Sequence, residues 1–275
     1  SIFGSGDVRS VQMEEGKKAG ALLDVRGLRK YFELSGGQRV HAVERVSFSL
    51  ESGRTLGIVG ESGCGKSTLA RTIIRIYEPT EGQIYFQGQE ITRLSQRSLQ
   101  PLRKDVQMIF QDPFSSLNPR LKARASVAEP LARAGIPAAQ RRARAEAMLA
   151  TVGLEGLGNR YPHEFSGGQR QRIAVARAIV TTPDLVVCDE PVSALDASVQ
   201  AQVLNLLRDV QEKFGLAYLF ISHDLRVVAG LCREVALMAD GVIAARGRSV
   251  EELAATGHPV IEELLASLPP AFPRR

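Results

Sequence analysis

Gly60-Glu61-Ser62-Gly63-Cys64-Gly65-Lys66-Ser67 has the residue types and spacing to hold a chain of phosphates. The pattern is G-x-x-x-x-G-K-[ST], and Thr68 follows it directly. Gly60, Gly63 and Gly65 let backbone N–H groups turn inward around phosphate oxygens, with Ser62 and Cys64 as the small residues between them. Lys66 would set a compact positive charge on the β- and γ-phosphates. Ser67 offers a hydroxyl to Mg²⁺, and Thr68 adds an oxygen contact near the phosphates. A helix opening after this loop would point its positive end at the same anion. Alone, the motif implies nucleotide binding and nothing finer, because kinases and GTPases carry it as well.

A second run, Leu185-Val186-Val187-Cys188-Asp189-Glu190, is an apolar strand that ends in two acids. α/β sheets place ligands at the carboxyl ends of their strands. There Asp189 would hold Mg²⁺, directly or through water. Glu190, one residue on, would face the γ-phosphate and polarise the attacking water as general base. Two exposed acids at a strand end are common, so this reading leans on the upstream loop.

Phe165-Ser166-Gly167-Gly168-Gln169 resembles the LSGGQ signature of ABC ATPases, with Phe in the usual Leu position, and Arg170-Gln171-Arg172 follows as in that family. Ser166, Gly167 and Gly168 have the makings of a helix N-terminus with close backbone approach, a second anion-binding device. The resemblance implies that two chains share each nucleotide, the signature of one closing on ATP held by the other. It also assigns further residues. Gln111 matches the glutamine loop that touches Mg²⁺ or water and senses a membrane partner. Asp196, in Ser193-Ala194-Leu195-Asp196, matches the loop that crosses the dimer interface. His223, after the apolar run ending at Ser222, matches the histidine that contacts the γ-phosphate. Phe32 best matches the aromatic that stacks on adenine, with Tyr31 the adjacent alternative. The resemblance spans about 22–247.

These residues need elements to hold them. Leu22 to Val25 and Val40 to Leu50 read as strands around a turn at Gly36-Gly37. Arg54 to Val59 is a short strand running into the glycine-rich loop, Ser67 to Tyr77 has helical spacing, and Gly82 to Ile91 reads as a strand pair. The stretch from Ala123 to Leu157 is rich in Ala, Arg and Glu, with Val127, Leu131, Ala147, Met148 and Val152 at helical spacing; Pro130 and Pro137 are expected to break it into separate helices. Helix, strand, helix and strand then follow at Arg170–Val180, Leu185–Cys188, Val199–Phe214 and Leu216–Ser222, with further strands at Arg233–Met238 and Val242–Ala245. Strands alternating with helices argue for an α/β fold with a mainly parallel sheet. The resemblance implies a P-loop (RecA-like) core with an antiparallel β subdomain and an α-helical subdomain at about 112–180. The expected organisation is a loose tail over 1–20, an ATPase domain over 21–248 and a short extension over 249–275.

Composition fits this picture. Of the 275 residues 44% are hydrophobic, Trp is absent, and aliphatic packing must dominate the core. Lys and Arg exceed Asp and Glu by a net charge of +5. The arginines are interleaved with acids, as around Arg141 and Glu146, which reads as a solvated helix face and not a nucleic-acid surface. Cys64, Cys188 and Cys232 are odd in number and far apart, with no metal or disulfide spacing. No window approaches the ~18 apolar residues of a membrane span, and the N-terminus has no apolar signal segment. A cytoplasmic chain, peripheral to the inner membrane, is expected.

The stretch Arg103 to Arg120, Tyr161-Pro162-His163-Glu164 before the signature, and Gly257-His258-Pro259 leading to Leu268-Pro269 are similar to the oligopeptide, dipeptide and nickel importer ATPases. That branch usually has His-Pro-Tyr-Thr where this chain has His-Pro-Val-Ile. The resemblance implies an ATP hydrolase using ATP and Mg²⁺. Its implied partners are a second cassette, homologous and non-identical, two transmembrane permease subunits and, indirectly, an extracytoplasmic solute-binding protein. A nickel or other small-solute importer ATPase, or a non-transport ATPase of phosphonate breakdown, would carry nearly the same motifs. DNA-repair and translation relatives carry a long coiled-coil insertion or two cassettes, and a small-molecule kinase would leave the signature unexplained.

Overall fold

The computed structural model describes residues 20–112 and 116–266. Residues 1–19 of the tail expected over 1–20, Pro113, Phe114 and Ser115 of the branch-specific stretch, and Leu268-Pro269 lie outside the described residues. Among the described residues the strands form two sheets.

The smaller sheet is antiparallel. Strand β1 (Ala21–Glu33) pairs with β2 (Arg39–Glu51) on one side and β4 (Glu81–Phe86) on the other, and β5 (Gln89–Glu90) borders β4. The larger sheet has the order β10-β9-β3-β8-β7-β6. Its strands are β3 (Thr55–Val59), β6 (Val106–Ile109), β7 (Leu185–Asp189), β8 (Ala217–Ser222), β9 (Glu234–Ala239) and β10 (Val242–Gly247). Every neighbour pair is parallel except β9 with β10. Strands β3, β7 and β8 are buried at every position, as expected of parallel strands covered on both faces.

Helix α1 (Lys66–Ile73) follows the glycine-rich loop, and α2 (Gln96–Leu99) precedes β6. The helical stretch gives α3 (Ala123–Arg133) and α4 (Ala138–Thr151), which pack on α5 (Gly167–Ile179). Then come α6 (Ala197–Phe214), α7 (Leu225–Leu231), α8 (Val250–Ala254) and α9 (Pro259–Ala266). One apolar core lies between α3–α7 and one face of the large sheet. The other lies between the two sheets and includes Leu69, Ile73, Ile84, Phe86 and Leu219.

Four details depart from the sequence reading. Pro130 lies inside α3 and does not break it; the helix stops only after Arg133, where Gly135 takes φ 76°. A proline so near the helix end forfeits a single backbone hydrogen bond, and burial of Val127 and Leu131 outweighs it. Helix α1 ends at Ile73, short of Tyr77, because Arg75 turns to φ 59°. Ala147 faces solvent while Ala145 and Leu149 are buried. Val106–Ile109, not anticipated as a strand, is the edge of the parallel sheet.

Candidate functional site

The parallel register brings the carboxyl ends of β3, β6, β7 and β8 to one edge of the sheet. Gly60, Gln111, Asp189-Glu190 and His223 each follow or end one of these strands, so residues up to 163 positions apart in sequence (60 to 223) share that edge.

The phosphate loop joins β3 to α1. Gly60 has φ 157° and Gly65 φ 107°. A Cβ at Gly60 would stand 2.1 Å from the Met238 carbonyl oxygen, and one at Gly65 only 2.0 Å from that of Ala42. Both glycines are therefore needed for close backbone packing. Gly63, at φ 86°, would meet nothing within 4 Å and faces open space, as do the exposed Ser62 and Glu61. Lys66 is buried and folded into its own loop; its Nζ donates to the carbonyls of Gly60 at 2.8 Å and Glu61 at 2.7 Å, with Cys64 Sγ at 3.8 Å. Burial pushes the Cys64 thiol above its ordinary pKa, so it sits there as a small neutral side chain. Thr68, half-buried on α1, accepts at its carbonyl from Thr72 Oγ1 at 2.7 Å.

Ser67 Oγ donates to Asp189 Oδ1 at 2.8 Å. Arg71, one helical turn beyond Ser67, brings a guanidinium nitrogen to 3.7 Å from Asp189 Oδ2. The Asp189 side chain is fully buried. Desolvation pushes its carboxyl above the ordinary range, and the Ser67 hydroxyl and Arg71 charge pull it back. Oδ2 has no hydrogen-bond partner among the described residues. A hydroxyl, a buried carboxylate oxygen and the nearby Gln111 amide are hard oxygen donors that suit Mg²⁺. That ion takes one or two carboxylates plus substrate phosphates in preference to an all-protein cage. The described residues contain no cluster of three His, Cys, Asp or Glu that could hold a metal ion.

Glu190 stands at φ 47°, a left-handed conformation that side-chain-bearing residues adopt at a cost. Two contacts fix it: its N–H donates to the Ile221 carbonyl at 3.0 Å, and its own carbonyl accepts from Ser193 Oγ at 3.1 Å. One carboxylate oxygen, Oε2, then accepts from Gln111 Nε2 at 3.2 Å and meets His223 Nδ1 at 3.1 Å. The Glu190 side chain is only 11% exposed whereas His223 is 48% exposed. A carboxylate oriented by an amide and an imidazole, beside a phosphate cradle, can polarise a water.

The signature residues open α5. Ser166 caps α5, its Oγ accepting from Gln169 N–H at 3.3 Å while Gln169 Oε1 accepts from Ser166 N–H at 3.0 Å. Phe165 is buried, so its large ring fills the apolar position expected of Leu. A Cβ on Gly167 would lie 3.6 Å from Leu195, and one on Gly168 2.3 Å from Val199 Cγ1. The helix start is thus packed against the segment holding Asp196. Asp196 itself caps α6, accepting from Val199 N–H at 3.0 Å.

Phe32 meets Tyr77 edge-on, with centroids 5.5 Å apart, and Lys30 Nζ lies 4.8 Å from its ring centroid. Tyr31 is otherwise committed: its ring stacks on His41 at 4.0 Å and its hydroxyl donates to Glu44 at 2.6 Å.

Sequence reasoning did not single out Arg71. Its signal was present: Ser67 and Arg71 are four apart on a helix and so share a face. Gly241, Ala42 and Met238, which back the phosphate loop, gave no motif signal, because their contribution is backbone only.

Residues 43–193 match the family model described as ABC transporter. The chain is 51% identical over 257 residues to the oligopeptide transport ATP-binding protein AppF of Bacillus subtilis, covering 90% of this chain and 78% of that protein. It is 46% identical to the dipeptide transport ATP-binding protein DppF of Haemophilus influenzae, covering 94% and 81%. Among solved structures it is similar, with a TM-score of 0.74 and 29% identity over 82% of this chain and 97% of the other, to a dimeric post-hydrolysis state of the ATP-binding cassette MJ0796 bound to ADP and Pi. With a family match across more than half its length and a half-identical transport ATPase among its relatives, the chain belongs to the ABC transporter family, as one of its ATP-binding and ATP-hydrolysing cassettes.

Proposed function

We propose that this cassette powers the import of di- or oligopeptides by hydrolysing ATP at sites shared between two cassettes. The observation that carries the catalytic part is the meeting of Gln111 and His223 on one oxygen of Glu190, next to the Ser67–Asp189 pair and the phosphate loop.

In this reading Phe32 supports the adenine, and the loop from Gly60 to Thr68 holds the phosphates. Lys66 exchanges its loop carbonyls for phosphate oxygens. Ser67, Asp189 and Gln111 would hold Mg²⁺, which would supply positive charge against the phosphates of the nucleotide. Glu190 takes the proton of the attacking water, and His223 and Gln111 orient the carboxylate toward it. The Ser166–Gln169 turn and Asp196 act on the nucleotide held by the other cassette; within the chain the turn packs on Leu195 and Val199, which flank Asp196. ATP that prefers the closed pair draws the cassettes together, and hydrolysis lets them part.

The peptide cargo rests on the names of the relatives, AppF and DppF. The partners that fit this role are a homologous cassette, two membrane-embedded permease subunits and an extracytoplasmic solute-binding protein. In this reading the permeases supply the membrane path, with this chain docked on their cytoplasmic face; the described residues contain no helix long and apolar enough to cross a membrane.

The test is Glu190→Gln. That variant should bind ATP and accumulate as a closed pair while turnover falls by about 10²–10⁴-fold. Turnover close to that of the parent chain would remove Glu190 from the role of base.

A further inference from the structure

Three backbones that share no sequence motif meet behind the phosphate loop. The turn joining β9 to β10 is Asp240-Gly241, with φ 47° and 80°, a pair of left-handed residues of the kind that closes a tight hairpin. Gly241 N–H donates to the Cys64 carbonyl at 3.1 Å, inside the phosphate loop. Its carbonyl accepts from Glu44 N–H at 2.8 Å, on β2 of the antiparallel sheet. The same two elements press on the loop glycines from either side: the Met238 carbonyl against Gly60 and the Ala42 carbonyl against Gly65.

From Glu44 the chain of contacts continues to the aromatic ledge. The Glu44 carboxylate accepts from Tyr31 hydroxyl at 2.6 Å, pairs with Arg29 Nε at 2.8 Å and meets His41 Nδ1 at 3.1 Å. Tyr31 precedes Phe32 on β1. One short turn therefore joins the loop that would hold phosphates to the strands that would hold the base.

We propose that the Asp240-Gly241 turn is a positioning element of the nucleotide site, clasping the phosphate loop to the antiparallel sheet so that base and phosphates are gripped at a fixed separation. The turn touches no reacting atom. It acts through Cys64 of the phosphate loop on one side and Ala42 and Glu44 of β2 on the other. The proposal rests on 60–68 being the ATP cradle and extends that reading to residues outside every motif.

Gly241 is the position to perturb. Its φ disfavours any L side chain, and a Cβ there would lie 3.2 Å from the His41 carbonyl oxygen and 3.3 Å from that of Ala42. Asn tolerates left-handed backbone better than Ala, and Val tolerates it least. The experiment measures the affinity of the full chain for a fluorescent ATP analogue with Mg²⁺, KM and kcat for ATP, and the Tm without nucleotide. Gly241→Val is expected to weaken affinity and raise KM by about tenfold, with kcat within about twofold of the parent, and Gly241→Asn to recover most of that loss. If Gly241→Val does not fold, Gly241→Ala takes its place, with an intermediate loss expected. Affinity equal to that of the parent in Gly241→Ala or Gly241→Val would overturn the proposal, even with a lowered Tm, because the turn would then serve stability alone. A fall in kcat at unchanged KM would overturn it too. Binding by the parent chain that is absent or insensitive to Lys66→Ala would instead sink the cradle reading itself.

Discussion

Asp189 shows how a single residue can be set against the stability of its own fold. Its carboxylate is fully buried, one oxygen takes the Ser67 hydroxyl, and the other, among the described residues, meets the one-third-exposed Arg71 at 3.7 Å without a hydrogen bond. A desolvated charge with so few hydrogen bonds is destabilising until a cation or a further donor arrives. Asp189→Asn keeps the shape, removes the charge, and lets the amide donate to Ser67 Oγ. The nucleotide-free variant should therefore be more stable than the parent by roughly 1–3 kcal/mol, a rise of some degrees in Tm. It should also lose the extra stabilisation that Mg²⁺ adds to ATP. Thermal melts of both proteins, with and without Mg-ATP, check this; a lowered Tm in the free variant would mean that the buried charge is satisfied by something other than Ser67 and Arg71.

Among the elements, the fit of α5 against α6 is the tightest test of the signature. Gly168 leaves 2.3 Å between its absent Cβ and Val199 Cγ1, well inside contact distance. Gly168→Ala should cost about 1–3 kcal/mol as the helices are forced apart, and Val199→Ala in the same chain should recover most of it. Melting the single and double variants decides whether this glycine serves packing. Unequal recovery of stability and ATPase activity would show a further role for its open backbone. The antiparallel sheet offers a pH-dependent counterpart. The Tyr31 hydroxyl, with His41 and Arg29, holds the Glu44 carboxyl below its ordinary range despite partial burial. A depressed carboxyl stabilises the fold above the unfolded value near 4.5, and this is lost as pH falls through the folded value. Glu44→Gln should thus lower Tm at neutral pH by an amount worth under about 1 kcal/mol, and the gap to the parent should close on acidification below 4.5. Much of this architecture is legible in the sequence because the elements are marked locally: β3, β7 and β8 by unbroken apolar runs, α6 by its period and by Gly215 after it. Val106–Ile109 is not, since four residues with Gln107 among them carry too little pattern, and only pairing with β7 makes them a strand. Pro130 misleads because a proline near a helix end costs a single bond that packing can outweigh. The site residues announce themselves through side chains, whereas the clasp at Gly241 works through N–H and C=O groups that every residue has.

The whole molecule poses one question, namely why a single chain carries, besides the helix start at the phosphate loop, a second glycine-rich helix start at α5. Helix α1 opens on the phosphate loop at the carboxyl edge of the parallel sheet, while α5 opens beside Leu195 and Val199. In the proposed reading a second chain, head to tail, supplies the α5 N-terminus to a nucleotide in the loop of the first; where that second chain is another copy, a two-fold axis closes the pair and creates two equal sites. That geometry gives a complementation experiment. Lys66→Ala ruins the cradle of its own chain, and Ser166→Arg ruins the signature it offers to a neighbour, so each variant alone forms pairs with no intact site. In an equal mixture half of the pairs are mixed, and each mixed pair rebuilds one site of two, so about a quarter of the parent activity should return if the sites act independently. The recovered activity should rise with total protein concentration, as expected of an associating pair. Activity in either variant alone would show that one chain completes its own site. A silent mixture, under conditions where the parent chain hydrolyses ATP, would mean that copies of this chain do not share nucleotides and that only a homologous cassette could supply the missing half.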